Sequence, residues 1–228
     1  NIGSSISLDL NILNIGSDTD ATNYSTTTIT GNVFANSTVL NNNGTTNSSE
    51  LILASGKNIT STITTASDGK GILTLAGGTQ TVTGTVGGVG ASLEKVSSGA
   101  TGATSTFVNN VYANTVENTG TGATTFQDNV VATNVNVNAG TSTFQDNLTA
   151  TTTTITTGTG NFNTVSGTTT SNLQFTDNGT ANLNNGLTGN VTTTADNKGT
   201  LNLVGSNNQT VTGTVGGVGA SLEKVSSG

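Results

Sequence analysis

Asp128 and Asp146 each sit in the tetrapeptide Phe-Gln-Asp-Asn, and Asp177 lies in the related Phe-Thr-Asp-Asn. If these segments stack like adjacent strands, about 4.8 Å apart, the carboxylates repel. A calcium ion is the cation that would bridge Asp128 and Asp146. The plainer reading is solvated turn carboxylates. It is favoured because the Gly-Gly-x-Gly-x-Asp nonapeptide of calcium-binding rolls is absent. Asp18 and Asp20 form one isolated pair. No other cofactor is expected.

Catalysis has little to work with. The chain has no His, Cys, Trp or Arg. That excludes a Ser-His-Asp triad, a Cys nucleophile, imidazole or thiolate metal sites and disulfides. Glycoside hydrolysis needs two carboxylates facing across a cleft, and no Trp is present to stack a sugar. The expectation is a protein that is not an enzyme. Gly87-Gly88-Val89-Gly90 resembles a phosphate-binding loop only loosely, because no Gly-Lys-Ser/Thr follows, so it reads as a tight turn or bulge. A net charge of −7 without Arg argues against nucleic acid as a partner. No apolar run approaches the ~20 residues of a membrane-spanning helix, so no membrane insertion of this segment is expected. Thr-x-Thr pairs are frequent, as at Thr62/Thr64, Thr79/Thr81/Thr83, Thr152/Thr154/Thr156 and Thr192/Thr194. Flat arrays of outward Thr bind ice on some β-solenoids. Here the pairs keep no fixed position from repeat to repeat, and ordinary outward Thr is the simpler account.

The framework that places these residues is repetitive. The string QTVTGTVGGVGASLEKVSSG occurs twice without change, from Gln80 to Gly99 and from Gln209 to Gly228. The likeness extends upstream, where Asp68 to Leu75 matches Asp196 to Leu203. This 129-residue period divides 1–228, read as one continuous domain, into a partial unit 1–99 and a second unit 100–228. A shorter period runs inside the longer one. Phe107, Phe126, Phe144 and Phe162 recur at a nearly constant interval, and Phe175 follows sooner. Each of the first three follows Thr and small residues and precedes an alternating apolar stretch, Val111 to Val116, Val130 to Val137 and Leu148 to Ile155. Gly-containing turns close the units. Strand, turn, strand, turn in a fixed short period is the signature of a solenoid.

The chain holds 51 Thr, 32 Asn and 31 Gly, half of its 228 residues, and only 31% apolar residues. Low charge and small polar residues also suit disorder, but the β-branched content and the absence of Pro favour extended strands. The predicted fold is all-β, a right-handed parallel β-helix (β-solenoid) of 18–19 residues per coil and roughly 12 coils. Phe107, Phe126 and Phe144 are expected to stack inward, and Asn110, Asn129 and Asn147 to form an amide ladder. Ile6, Leu8, Leu10 and Ile12 alternate cleanly along a first strand, and Ala91 to Val96 reads as a strand or one helical turn. No polar cap precedes the first strand or follows the last repeat. Ile6, Leu8, Leu10 and Ile12 at one end, and Leu222 and Val225 at the other, are therefore candidates for end-to-end contact. The first residue is Asn1, as expected of a processed product or a window of a longer chain.

The phrases NKGTLNLVGSNNQTVTGTVGGVGASLEKVSSG and ATTFQDNVVATNVNV, within Thr/Asn/Gly-rich coils, resemble the repeat regions of rickettsial surface-antigen autotransporters. The likeness covers most of residues 50–228. It implies an exported β-solenoid passenger on a bacterial surface, without assigning a role to any residue. The expected function is an extracellular structural rod or fibre subunit that stacks head to tail with itself. The alternative is an adhesin stalk contacting host or neighbouring cells.

Overall fold

A chain with 51 Thr and no Pro can fill pleats and donate every backbone N–H to a neighbouring strand. The computed structural model describes residues 1–3, 10–17, 24–41, 47–163, 165–205 and 208–228. Among these residues there are 21 strands and no helix. The first seven are β1 (Leu10–Ile15), β2 (Thr26–Ile29), β3 (Val33–Leu40), β4 (Glu50–Leu53), β5 (Ile59–Thr65), β6 (Ile72–Leu75) and β7 (Thr79–Val82). Then come β8 (Leu93–Ser98), β9 (Thr104–Phe107), β10 (Val111–Asn118), β11 (Ala123–Phe126), β12 (Val130–Val137), β13 (Thr141–Phe144) and β14 (Leu148–Ile155). The last are β15 (Thr159–Phe162), β16 (Thr169–Phe175), β17 (Thr180–Leu183), β18 (Leu187–Thr188), β19 (Val191–Thr193), β20 (Thr200–Leu203) and β21 (Lys224–Ser227).

Pairing is parallel between strands one coil apart. One sheet of 11 strands runs β1-β3-β5-β7-β9-β11-β13-β15-β17-β20-β21, and one of 10 runs from β18 through the even-numbered strands to β2, with β19 also on β16. This is a β-solenoid. Eleven stacked strands make about ten turns, not twelve. The short period holds between Phe107 and Phe162, but other coils are longer, as where Val33 and Ile59 are neighbours in one column. At about 4.8 Å per turn the rod is about 48 Å long.

Each coil has three faces. In β10 the residues Val111, Ala113, Val116 and Asn118 are buried, with Asn114 and Thr115 both outward between them. Two successive outward residues break the alternation and mark a corner. The short strands, such as β9 and β11, form the first face; the two halves of β10, β12 and β14 form the second and third. Each coil thus sends two side chains inward per face. On β5 one residue spans the corner where β3 uses two, and their register shifts between Phe34 and Ser37.

The core is one continuous cluster running from Ile15 to Leu201. It needs few apolar residues because small polar side chains occupy inward positions and bond to one another. Thr38 meets Ser61 at 2.9 Å, Ser98 meets Thr124 at 3.0 Å and Thr153 meets Ser171 at 2.9 Å. A buried hydroxyl with a partner avoids the cost of desolvation.

Candidate functional site

The columns form as the Phe spacing predicts, with one addition and one correction. Phe107, Phe126 and Phe144 are in register on the first face, and Phe162 joins them. Ring centroids are 5.0, 5.1 and 5.4 Å apart, and the rings lie within 11° of parallel. Phe175 belongs to another column, on the third face above Ile155, which explains its odd spacing. Leu183 and Leu203 continue the Phe column.

The amides form their ladder at the following turn. Asn129 Nδ2 donates to Asn110 Oδ1 at 2.9 Å, and Asn147 Nδ2 to Asn129 Oδ1 at 2.6 Å. Asn147 Oδ1 then accepts from the Thr168 backbone N–H at 2.9 Å. Sequence reading missed a second ladder, on the outer surface of the first face. Asn182 donates to Asn161 and Asn202 to Asn182, each at 2.8 Å, and Ser226 Oγ donates to Asn202 at 2.6 Å.

The carboxylates are occupied singly. Asp128 Oδ1 accepts from its neighbour Asn129, from N at 2.8 Å and Nδ2 at 2.7 Å. Asp177 pairs with Lys198 at 2.7 Å. Among the described residues no group of three or more His, Cys, Asp or Glu is placed to hold a metal ion. Asp18 and Asp20 lie outside the described residues.

Three exposed aspartates have lowered pKa values. Ser92 holds Asp68 down through its hydroxyl and its N–H, and Ser221 does the same for Asp196 through its N–H and hydroxyl. Lys198 lowers Asp177. A depressed carboxylate contributes stability that is full above its unfolded value, near 3.9, and is lost as pH falls through the folded value. The melting temperature should therefore be flat from neutral pH to about 5 and fall below about 4. In Asp68→Asn the acid limb should be shallower; an unchanged limb in a pH series of melts would contradict this.

The Gly-rich segment is a tight turn. Gly88 and Ala91 exchange two backbone hydrogen bonds of 3.1 Å, and Gly90, at φ +72°, supplies the left-handed corner. Ala91 to Val96 then enters strand, as β8, without a helical turn. Val89 at the tip is exposed. The hairpin walls a groove of about 370 Å³ whose other side carries Tyr112, Val131 and Asn114, with Asp68 at its margin.

The pairs Thr62/Thr64, Thr152/Thr154 and Thr192/Thr194 do not share one column with Thr79/Thr81, pairing instead with Ser37/Val39, Asn134/Asn136 and, for Thr192, Gln174, but a Thr-rich column that the sequence reading did not single out runs along the first face. Thr79/Thr81, Thr104/Thr106, Thr141/Thr143 and Thr159/Asn161 are in register on the outer surface of the first face, joined by Ala123/Thr125. Unequal coil lengths hide the alignment in the sequence.

Among the described residues the two ends are open. β1 has a strand neighbour on one side, β3, and β21 likewise has β20 alone. Leu10 and Ile12 are 36% and 49% exposed. Leu10 stands in the column of buried Ala35, but no described strand covers it from the N-terminal side. Ile6 and Leu8 lie outside the described residues. At the other end Leu222 packs partly against the core, while Val225 is 53% exposed.

The repeated segment supplies an internal comparison. In the first copy Val86 and Val96 are 0% exposed. Their counterparts Val215 and Val225 are 42% and 53% exposed. Both copies sit identically on what precedes them. Thr83 N–H bonds Ile59 O at 2.8 Å, and Thr212 N–H bonds Leu187 O at 2.9 Å. Gly87 N–H bonds Ile63 O at 2.8 Å, and Gly216 N–H bonds Val191 O at 2.8 Å. The copies differ in what lies on top. β9 and β10 cover the first, and no described strand covers the second.

No protein-family model, curated protein or solved structure matches this chain. Its geometry defines the class alone: a three-faced parallel β-solenoid with stacked Phe and Asn columns.

Proposed function

We propose that this chain is a non-enzymatic structural protein of a bacterial surface, an extracellular rod or fibre subunit that stacks end to end. The observation that carries the reading is the pair of identical segments. Val86 and Val96 of the first copy lie under the next coil, while among the described residues no strand lies over Val215 and Val225 of the second. Among the described residues β1 and β21 are the outermost strands of one sheet, parallel edges of this kind are complementary to each other, and a heterologous contact that does not close makes a filament. The surface location draws on the resemblance to rickettsial surface-antigen passengers. The non-enzymatic reading draws on the missing His, Cys and Arg.

Electron microscopy of the untagged chain over a range of concentrations tests this. Long filaments of uniform width, with an axial repeat near 4.8 Å, are expected. Isolated rods of about 48 Å at every concentration would overturn stacking and favour the adhesin-stalk reading. Its lateral contact would then be the groove between Val89, Tyr112 and Val131.

A further inference from the structure

The corner where the third face turns into the first carries a column of glycines. Gly122, Gly140, Gly158, Gly179 and Gly199 each precede a strand of the first face, and those strands are in register. The corner is itself a ladder. Thr141 N–H bonds Gly122 O at 3.1 Å, Thr159 N–H bonds Gly140 O at 2.8 Å, Thr180 N–H bonds Gly158 O at 2.9 Å and Thr200 N–H bonds Gly179 O at 2.9 Å. Close approach dictates the residue type. A Cβ at Gly140 would lie 2.1 Å from Gly122 O, and one at Gly179 would lie 2.5 Å from Ile155 Cγ2.

The residue ahead of each glycine varies. It is Thr121, Ala139, Thr157, Asn178 and Lys198 in turn. At one rung of this column, therefore, packing fixes a glycine directly after an Asn. Asn178 is exposed. Among the described residues its side-chain amide and the Gly179 N–H have no hydrogen-bond partner. The turn around them is held in place, because Asp177 accepts from the Asn178 backbone N–H and from Lys198 Nζ at 2.7 Å. The same dipeptide at Asn185–Gly186 differs. Asn185 is half-buried, and its Nδ2 donates to Gly167 O at 3.1 Å, tying the amide to another turn. A third, Asn43–Gly44, lies outside the described residues.

We propose that Asn178 is a modification site, converted by water to aspartate and isoaspartate through its neighbour Gly179. Hydroxide takes the Gly179 N–H proton. The nitrogen attacks Asn178 Cγ, a C–N bond forms, and the side-chain nitrogen leaves as ammonia with a proton drawn from water. Water then opens the cyclic imide at either carbonyl. One opening leaves Asp on an ordinary backbone, and the other routes the main chain through the former side-chain carboxyl as isoaspartate. Nothing is oxidised or reduced. Gly179 has no Cβ to crowd the attack, whereas the Asn185 amide must first release Gly167 O. Isoaspartate adds a methylene to the main chain at a corner that both neighbouring coils grip, through Thr180 N–H on one side and Gly179 O on the other. Conversion therefore slackens the pairing of β17 with β15 and β20 and sets a new carboxylate beside the Asp177–Lys198 pair.

Peptide mapping by mass spectrometry of the folded chain, aged in mildly alkaline buffer, tests this. Conversion at Asn178 should run about tenfold faster than at Asn185, the factor for releasing one hydrogen bond before reaction. In urea the two sites should convert at similar rates. Asn178→Gln should hold its melting temperature on ageing while that of the unsubstituted chain falls. An Asn178 that stays intact in the folded chain while it converts in urea overturns the assignment, as does an Asn185 that keeps pace with it in the folded chain. An aged chain that carries isoaspartate and melts unchanged overturns the slackened corner.

Discussion

Phe144→Ala should lower the stability of the rod by about 3–5 kcal/mol, the largest loss expected from a single truncation. Phe144 is buried, with Phe126 5.1 Å below it and Phe162 5.4 Å above. Truncation removes the buried ring area and both stacking contacts. It also leaves a cavity that cannot close, because the backbone ladders fix neighbouring coils about 4.8 Å apart. The core is thin, with one such residue per coil, so no second layer of side chains can move into the gap. Phe144→Leu should cost far less, about 1.5 kcal/mol, because Leu183 and Leu203 already fill the same column farther along the rod. Denaturant titration of the two variants checks the pair. Equal losses would mean that ring stacking and volume at this column do not set its stability.

The solenoid was legible because its regular middle repeats both a bulky residue and an amide at one period. Phe107, Phe126 and Phe144, with the Asn that follow them, revealed coil, column and ladder together. Coil number was misread because that middle period was applied to the whole chain. Elsewhere hairpins such as Gly88 to Ala91 lengthen the coil without adding a rung. The three faces were hidden by the corner at Asn114 and Thr115, where two outward residues interrupt the alternation. The Thr columns were hidden for the same reason as the coil count, since the coil that joins Thr81 to its neighbour Thr106 is longer than the one that joins Thr125 to Thr143. The contrast between the two copies of the repeated string is invisible to any sequence pattern. Identical residues differ there only through the coils that lie around them.

That contrast makes Gln80 and Gln209 a matched pair with unequal consequences. Gln80 is 0% exposed. Its Nε2 reaches the carbonyls of Leu53 at 3.1 Å, Ala54 at 3.0 Å and Lys57 at 3.3 Å, and its Oε1 accepts from the Gly77 N–H at 2.8 Å. One amide thereby ties the turn at 76–79 to the turn of the coil beneath. Gly78, at φ +67°, lets the two turns approach, since a Cβ there would lie 2.8 Å from the Gly56 nitrogen. Gln209 is half-buried and donates to Asn184 O at 3.2 Å. The connection preceding it in the sequence is longer, VGSNN in place of AGGT. Gln80→Ala takes the amide away from the buried Gly77 N–H and from the Lys57 carbonyl, and should cost about 3 kcal/mol. Gln209→Ala removes an amide from a site open to solvent, and should cost about 1 kcal/mol or less. Thermal and urea unfolding of the two single variants measure the difference. A loss from Gln209→Ala as large as that from Gln80→Ala would mean that the second copy holds its glutamine as tightly as the first.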